Sequence, residues 1–116
     1  MLLGGNKYYG LNLKKETITT MRGFGGGMHT EELCGALSGG VAVIGVIFSE
    51  KKEYDQDKIK EATKEFVEKF SQELTSTNCQ EVKNIYREEV YKCSPVVGKA
   101  GEILERTLCK YQRLNK

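Results

Sequence analysis

Tryptophan is absent from this 116-residue chain, proline and histidine occur once each, and neither sign of charge is in excess. Eighteen Lys and Arg against sixteen Asp and Glu leave a net charge of +2. A nucleic-acid partner would call for a basic excess that is not there, and no run of acidic residues marks a solvating tail. Glycine has no three-residue period, which excludes a collagen-like chain. Four cysteines are too few for a disulfide scaffold, and Met1 to Lys7 has neither the basic start nor the apolar stretch of a secretory signal. No C-x-x-C pair occurs, so a thioredoxin-type motif and a zinc-ribbon knuckle are both missing. No G-K-[ST] follows a glycine loop, and Gly23-x-Gly25-x-x-Met28 lacks the last glycine and the preceding strand of a dinucleotide fingerprint. Leu33 to Ser49 runs 17 residues without a charge. A membrane span needs about 20 mainly apolar residues. This run also holds Cys34, Ser38 and four glycines, so it reads as a buried helix and not a span.

What is present is divided unevenly. Eleven of the 13 glycines lie in residues 1–45, whereas residues 50–116 hold 27 of the 34 charged side chains. Leu2 to Tyr9 reads as a short helix stopped by Gly10, which takes the left-handed C′ position without strain. Lys14 to Met21 is a second, with Leu13, Ile18, Met21 and Phe24 as its apolar face. Gly23 to Gly27 reads as a tight loop, and Met21 and Met28 as core filler. A third helix is expected from Thr30 as N-cap, with Glu31 and Glu32 at the positive end of its dipole, to about Phe48. Gly35 with Gly39 and Ala36 with Gly40 set rows of small residues along it, which permit close packing of another helix. Ser38 is expected to pack there or to bond its own backbone.

Residues 50–56 read as a polar linker. Asp57 to Leu74 is amphipathic, with Ile59, Ala62, Thr63, Phe66, Phe70 and Leu74 on one side. A short helix begins near Gln80 and extends towards Val90. Ser94-Pro95 starts the last one, with Ser94 as N-cap and Pro95 at the first helical position. It would bury Val96, Val97, Ala100, Ile103, Leu104, Leu108 and Tyr111. The expectation is an all-α fold: residues 1–116 form one compact bundle of five to six helices around a central glycine-rich apolar helix.

Three cysteines fall near helix starts. Cys34 sits about one turn into the third helix, Cys79 opens the short helix, and Cys93 precedes Ser94-Pro95. Backbone N–H groups and the dipole at such places favour a thiolate, the form that attacks disulfides and binds metals. Cys109, inside the last helix, reads as structural or incidental. A buried thiol is also an ordinary small hydrophobe. His29, five residues before Cys34, could join Cys34, Cys79 and Cys93 as a Cys3His metal set.

Taken together, Gly23-Phe24-Gly25-Gly26-Gly27-Met28 followed by Cys34-Gly35-Ala36-Leu37-Ser38-Gly39 resembles the C-GCAxxG-C-C family of redox-active proteins, which carries a CGAxxG motif. The likeness continues through Glu65-Phe66-Val67-x-x-Phe70, Ser76-x-Asn78-Cys79-x-Glu81, and Cys93 leading into Val96-Val97-x-x-Ala100-x-x-Ile103-Leu104. It spans nearly the whole chain. The resemblance implies that Cys34, Cys79 and Cys93 are three of four family cysteines, the other lying upstream of the segment that matches Leu2 to Leu11. It implies a cytoplasmic bacterial or archaeal protein with a functional link to transporters.

Three functions compete. One is thiol–disulfide chemistry needing no cofactor, with Cys79 and Cys93 as the switchable pair, Cys34 as partner or resolving thiol, Gly25, Gly26 and Gly27 as the wall of the site, and an unidentified redox partner. Another is binding of zinc, Cu(I) or an iron–sulfur cluster by the same cysteines with His29. The third is a helical module whose small-residue helix forms a homodimer or partner interface.

Overall fold

The computed structural model describes residues 1–24, 27–49, 56–86 and 94–113. Among the described residues, six α-helices form the fold: α1 (Leu2–Tyr9), α2 (Lys15–Thr19), α3 (Gly35–Ile47), α4 (Gln56–Leu74), α5 (Cys79–Tyr86) and α6 (Ser94–Arg113). The architecture is all-α, as the periodicities imply. A 3-10 turn, Thr20–Phe24, and a wide turn, Gly27–Glu31, connect α2 to α3. Gly10 ends α1 with φ 62° and ψ 44°, and its N–H donates to the Asn6 carbonyl.

The glycine-rich helix α3 lies against α1, α4 and α6. Its small residues are used inside the chain. A Cβ on Gly40 would stand 2.5 Å from the Phe66 ring of α4, and one on Gly5 of α1 would stand 2.5 Å from Val43 Cγ2 of α3. Only glycine lets these helices approach so closely. Val43 and Ile44 of α3 meet Phe66, Phe70 and Leu74 of α4 and Ile103, Leu104 and Leu108 of α6, all buried in one core. Each such side chain contributes about 1.5–3 kcal/mol by leaving water. The hydroxyl of Thr107, also buried, donates to the Ile103 carbonyl at 2.9 Å. Outside the core, Arg106 Nη2 of α6 bonds both carboxylate oxygens of Glu73 on α4, at 2.8 and 2.7 Å.

Several boundaries differ from the local pattern. The helix expected from Thr30 begins at Gly35, with Cys34 as its N-cap and not one turn inside it. Thr30 instead donates its hydroxyl back to the Gly27 carbonyl at 3.1 Å. Val97 is not buried but 39% exposed at the cleft between α1 and α6, and Met28 is 43% exposed and not core filler. Phe24 too is exposed, whereas Leu13 and Met21 pack against the core. Gly23 belongs to the 3-10 turn, and Ser94 is itself the first residue of α6, one position later than an N-cap. Of the linker expected at 50–56, Gln56 is the first residue of α4, and residues 50–55 lie outside the described residues, as does the extension of α5 to Val90. Among the described residues no helix is long and apolar enough to cross a membrane.

Candidate functional site

The segments before α3 and α5 pair as one antiparallel bridge, Leu33 with Asn78. The Cys34 N–H donates to the Thr77 carbonyl at 2.9 Å, and the Cys79 N–H donates to the Glu32 carbonyl. Side chains alternate across such a pair. Cys34 and Cys79, each one residue past the bridge, therefore leave it on the same face, opposite to Leu33 and Asn78. Burial agrees: Cys34 is 7% and Cys79 9% exposed, against 38% for Leu33.

Each cysteine opens a helix. Cys34 caps α3 with an extended backbone, φ −60° and ψ 129°, and its carbonyl accepts from the Leu37 and Ser38 N–H groups and from the Ser38 hydroxyl. Ser38 thus bonds its own helix backbone, as expected. Cys79 is the first residue of α5, and the Asn78 side chain caps that helix by accepting the Glu81 N–H at 3.1 Å. Asn78 is in turn placed by its own N–H, which donates to the Ser76 hydroxyl at 3.0 Å.

Gly27 closes the other side of Cys79. Its backbone is left-handed, φ +63°, and an added Cβ would lie 2.6 Å from the Cys79 Cβ and 2.7 Å from the Glu32 nitrogen. The wide turn carrying it is tied to α5 by Lys83 Nζ, 3.1 Å from Glu31 Oε1. Gly25, Gly26 and Cys93 lie outside the described residues. His29 is exposed, with Nε2 3.3 Å from the Arg22 carbonyl. Among the described residues no three His, Cys, Asp or Glu side chains gather as a metal set, so His29 does not complete one with Cys34 and Cys79. Nor are any two described cysteines bridged. Cys109 is exposed on α6.

Two cavities flank the bridge. One of about 460 Å³ is apolar, between Met21, Phe24, Leu33, Leu37, Val41 and Val67. The other, about 250 Å³, lies against Met28, Glu32, Leu33, Thr77 and Asn78. A third, about 320 Å³, separates α1 from α6 beside Met1, Tyr8, Tyr9, Leu104 and Glu105. There burial, and then the nearby Glu105 carboxylate, push the Tyr9 hydroxyl up to about 12.

The cysteines were legible in sequence, but the residues that bring them together were not. Glu32, Thr77 and Asn78 act through backbone pairing, which leaves no periodic trace. Only the spacing Asn78-x-x-Glu81 carries a signal, that of a helix cap.

Residues 1–107 match the family model described as "Putative redox-active protein (C_GCAxxG_C_C)". No curated protein and no solved structure matches the chain.

Proposed function

The chain belongs to the C_GCAxxG_C_C family, and on that premise we propose that it is a thiol–disulfide redox protein acting through Cys34, Cys79 and Cys93. The observation that carries this reading is the bridge. It sets two of these cysteines at the starts of two helices, on one buried face, walled by Gly27.

The chemistry is exchange. A cysteine thiolate attacks a partner's disulfide, its S–S bond breaks, and a mixed disulfide forms while the partner's other sulfur leaves as thiolate and takes a proton. A second cysteine thiolate then attacks the mixed disulfide and releases the reduced partner. Two electrons pass from the protein dithiol to the partner disulfide, along with two protons. In an ideal antiparallel ladder, diagonal neighbours such as Cys34 and Cys79 stand about 7–8 Å apart at Cα. A disulfide spans about 4.4–6.8 Å. That spacing counts against a direct Cys34–Cys79 bond, so in this reading Cys79 and Cys93 are the switchable pair, one attacking and the other resolving, and Cys34 is the alternative partner of Cys93. The same reading takes residues 1–116 as one helical domain in the cytoplasm, where thiols are returned to the reduced state.

Mild oxidation, followed by alkylation and peptide mass spectrometry, tests the proposal. A Cys79–Cys93 disulfide should form, and Cys79→Ser should abolish it or divert it to Cys34–Cys93. The proposal is lost if none of the three cysteines enters a disulfide.

A further inference from the structure

Four of the five residues in the turn Gly27–Glu31 have a left-handed backbone: Gly27 (φ 63°), Met28 (60°), His29 (57°) and Glu31 (59°). Three of these carry side chains, for which that conformation is unfavourable and persists only where the surroundings impose it. The turn is folded onto itself, since the Gly27 carbonyl accepts both the Glu32 N–H at 3.1 Å and the Thr30 hydroxyl at 3.1 Å. Its inner end rests on Cys79, where no side chain fits between Gly27 and the cysteine. Its outer end is held to α5 by Glu31 and Lys83. Their side chains are 47% and 31% exposed, respectively. Cys79 itself is buried, although a sulfur that exchanges with a partner's disulfide must be reached by it.

We propose that Gly27–Glu31 is a strap that controls access to the Cys79 sulfur, strained towards opening and latched by the Glu31–Lys83 ion pair. The inference builds on the thiol reading for its purpose but not for its test. The strap's Gly27 rests on Cys79, whereas Cys34 is the cap of α3. Release of the latch therefore exposes one thiol selectively. An approaching partner with a charge that competes for Glu31 or Lys83 would open the site that it is to react with.

The test is the alkylation rate of each cysteine in the reduced protein, followed by peptide mass spectrometry with N-ethylmaleimide at low concentration. In that regime the rate of a buried thiol reports the population of the open form. Exposed Cys109 is the internal reference. An exposed ion pair is worth up to about 1 kcal/mol, so Glu31→Gln should raise the Cys79 rate about two- to five-fold relative to Cys109 and leave Cys34 unchanged. Salt should accelerate Cys79 in the parent protein by screening the pair, and this response should vanish in Glu31→Gln. Exchange of the two charges, Glu31→Lys with Lys83→Glu, should restore the slow rate. The strap is refuted if Glu31→Gln leaves Cys79 unchanged, or if Cys34 and Cys79 accelerate together, which is general loosening. Because the salt arm needs no substitution, a variant that fails to fold does not spare the proposal. Disulfide mapping bears on the redox reading alone, so either idea can fail while the other stands.

Discussion

Gly40 and Gly45 lie on the same helix, and replacing each with alanine should move stability in opposite directions. Alanine gains up to about 1 kcal/mol over glycine in a helix interior. At Gly45 that gain is unopposed, because nothing lies within 4 Å of an added Cβ. At Gly40 the new methyl would stand 2.5 Å from two atoms of the Phe66 ring. Phe66 is fully buried and set edge-on to Phe70, with ring centroids 6.2 Å apart, so it has little room to yield. Overpacking of this kind costs about 1–3 kcal/mol. Gly40→Ala should therefore be less stable than Gly45→Ala by that full amount, since the helix gain cancels between them. For a chain of this size the gap is roughly 4–12 °C in Tm. Thermal unfolding followed by far-ultraviolet circular dichroism reads it directly. Phe66→Leu should cost less in the Gly40→Ala background than in the parent, because the smaller side chain vacates the contested space. If the two alanine variants melt together, α3 and α4 do not meet through Gly40, and the close-packing account of the glycine-rich helix is wrong.

Other expectations follow from single contacts. The Arg106 guanidinium, bonded to both oxygens of Glu73, holds that carboxyl below its ordinary range. A depressed folded value gives stability that is present above the unfolded pKa and lost as pH falls through the folded one. Glu73→Gln should thus weaken the protein to urea at neutral pH and make no difference in strong acid; an equal loss at both would contradict the pairing. Tyr9, pushed up to about 12 by burial first and Glu105 second, should ionise late in an ultraviolet titration. Its raised value stabilises the fold below the ordinary tyrosine pKa of about 10, and that contribution fades as pH rises from there to the folded value. Asn78→Ala removes the cap of α5 and should cost about 1 kcal/mol in chemical denaturation; a neutral result would mean that the cap contributes nothing to positioning Cys79.

Helices whose stability is local were plain in the sequence. The three-and-four spacing from Ile59 to Leu74 forms α4, and Gly10 ends α1 where its left-handed freedom is needed. The start of α3 was not plain. Thr30 with two following glutamates has the composition of an N-cap, but the Cys34 N–H is taken by Thr77, more than forty residues away, and the Glu32 carbonyl by Cys79. Those non-local bonds hold residues 32–34 extended and push the helix start to Gly35. The same pairing makes the candidate site, so one feature explains both the displaced boundary and the meeting of Cys34 with Cys79. Val97 shows the other kind of miss. It keeps the helical spacing of a core residue, yet it borders the cleft between α1 and α6, where no partner covers it. Periodicity tells which side of a helix is apolar, not how far the neighbouring helix reaches.

The proposed redox couple is drawn from Cys34, Cys79 and Cys93. Equilibration of the protein in a graded series of thiol–disulfide buffers, with acid quenching and intact-mass measurement, tests it most directly. One two-electron transition is expected, a loss of two hydrogens that maps to Cys93 with Cys79 or, failing that, with Cys34, and persists in Cys109→Ser. A protein whose Cys34, Cys79 and Cys93 all remain reduced across the series, or whose only oxidation is at Cys109, would contradict it.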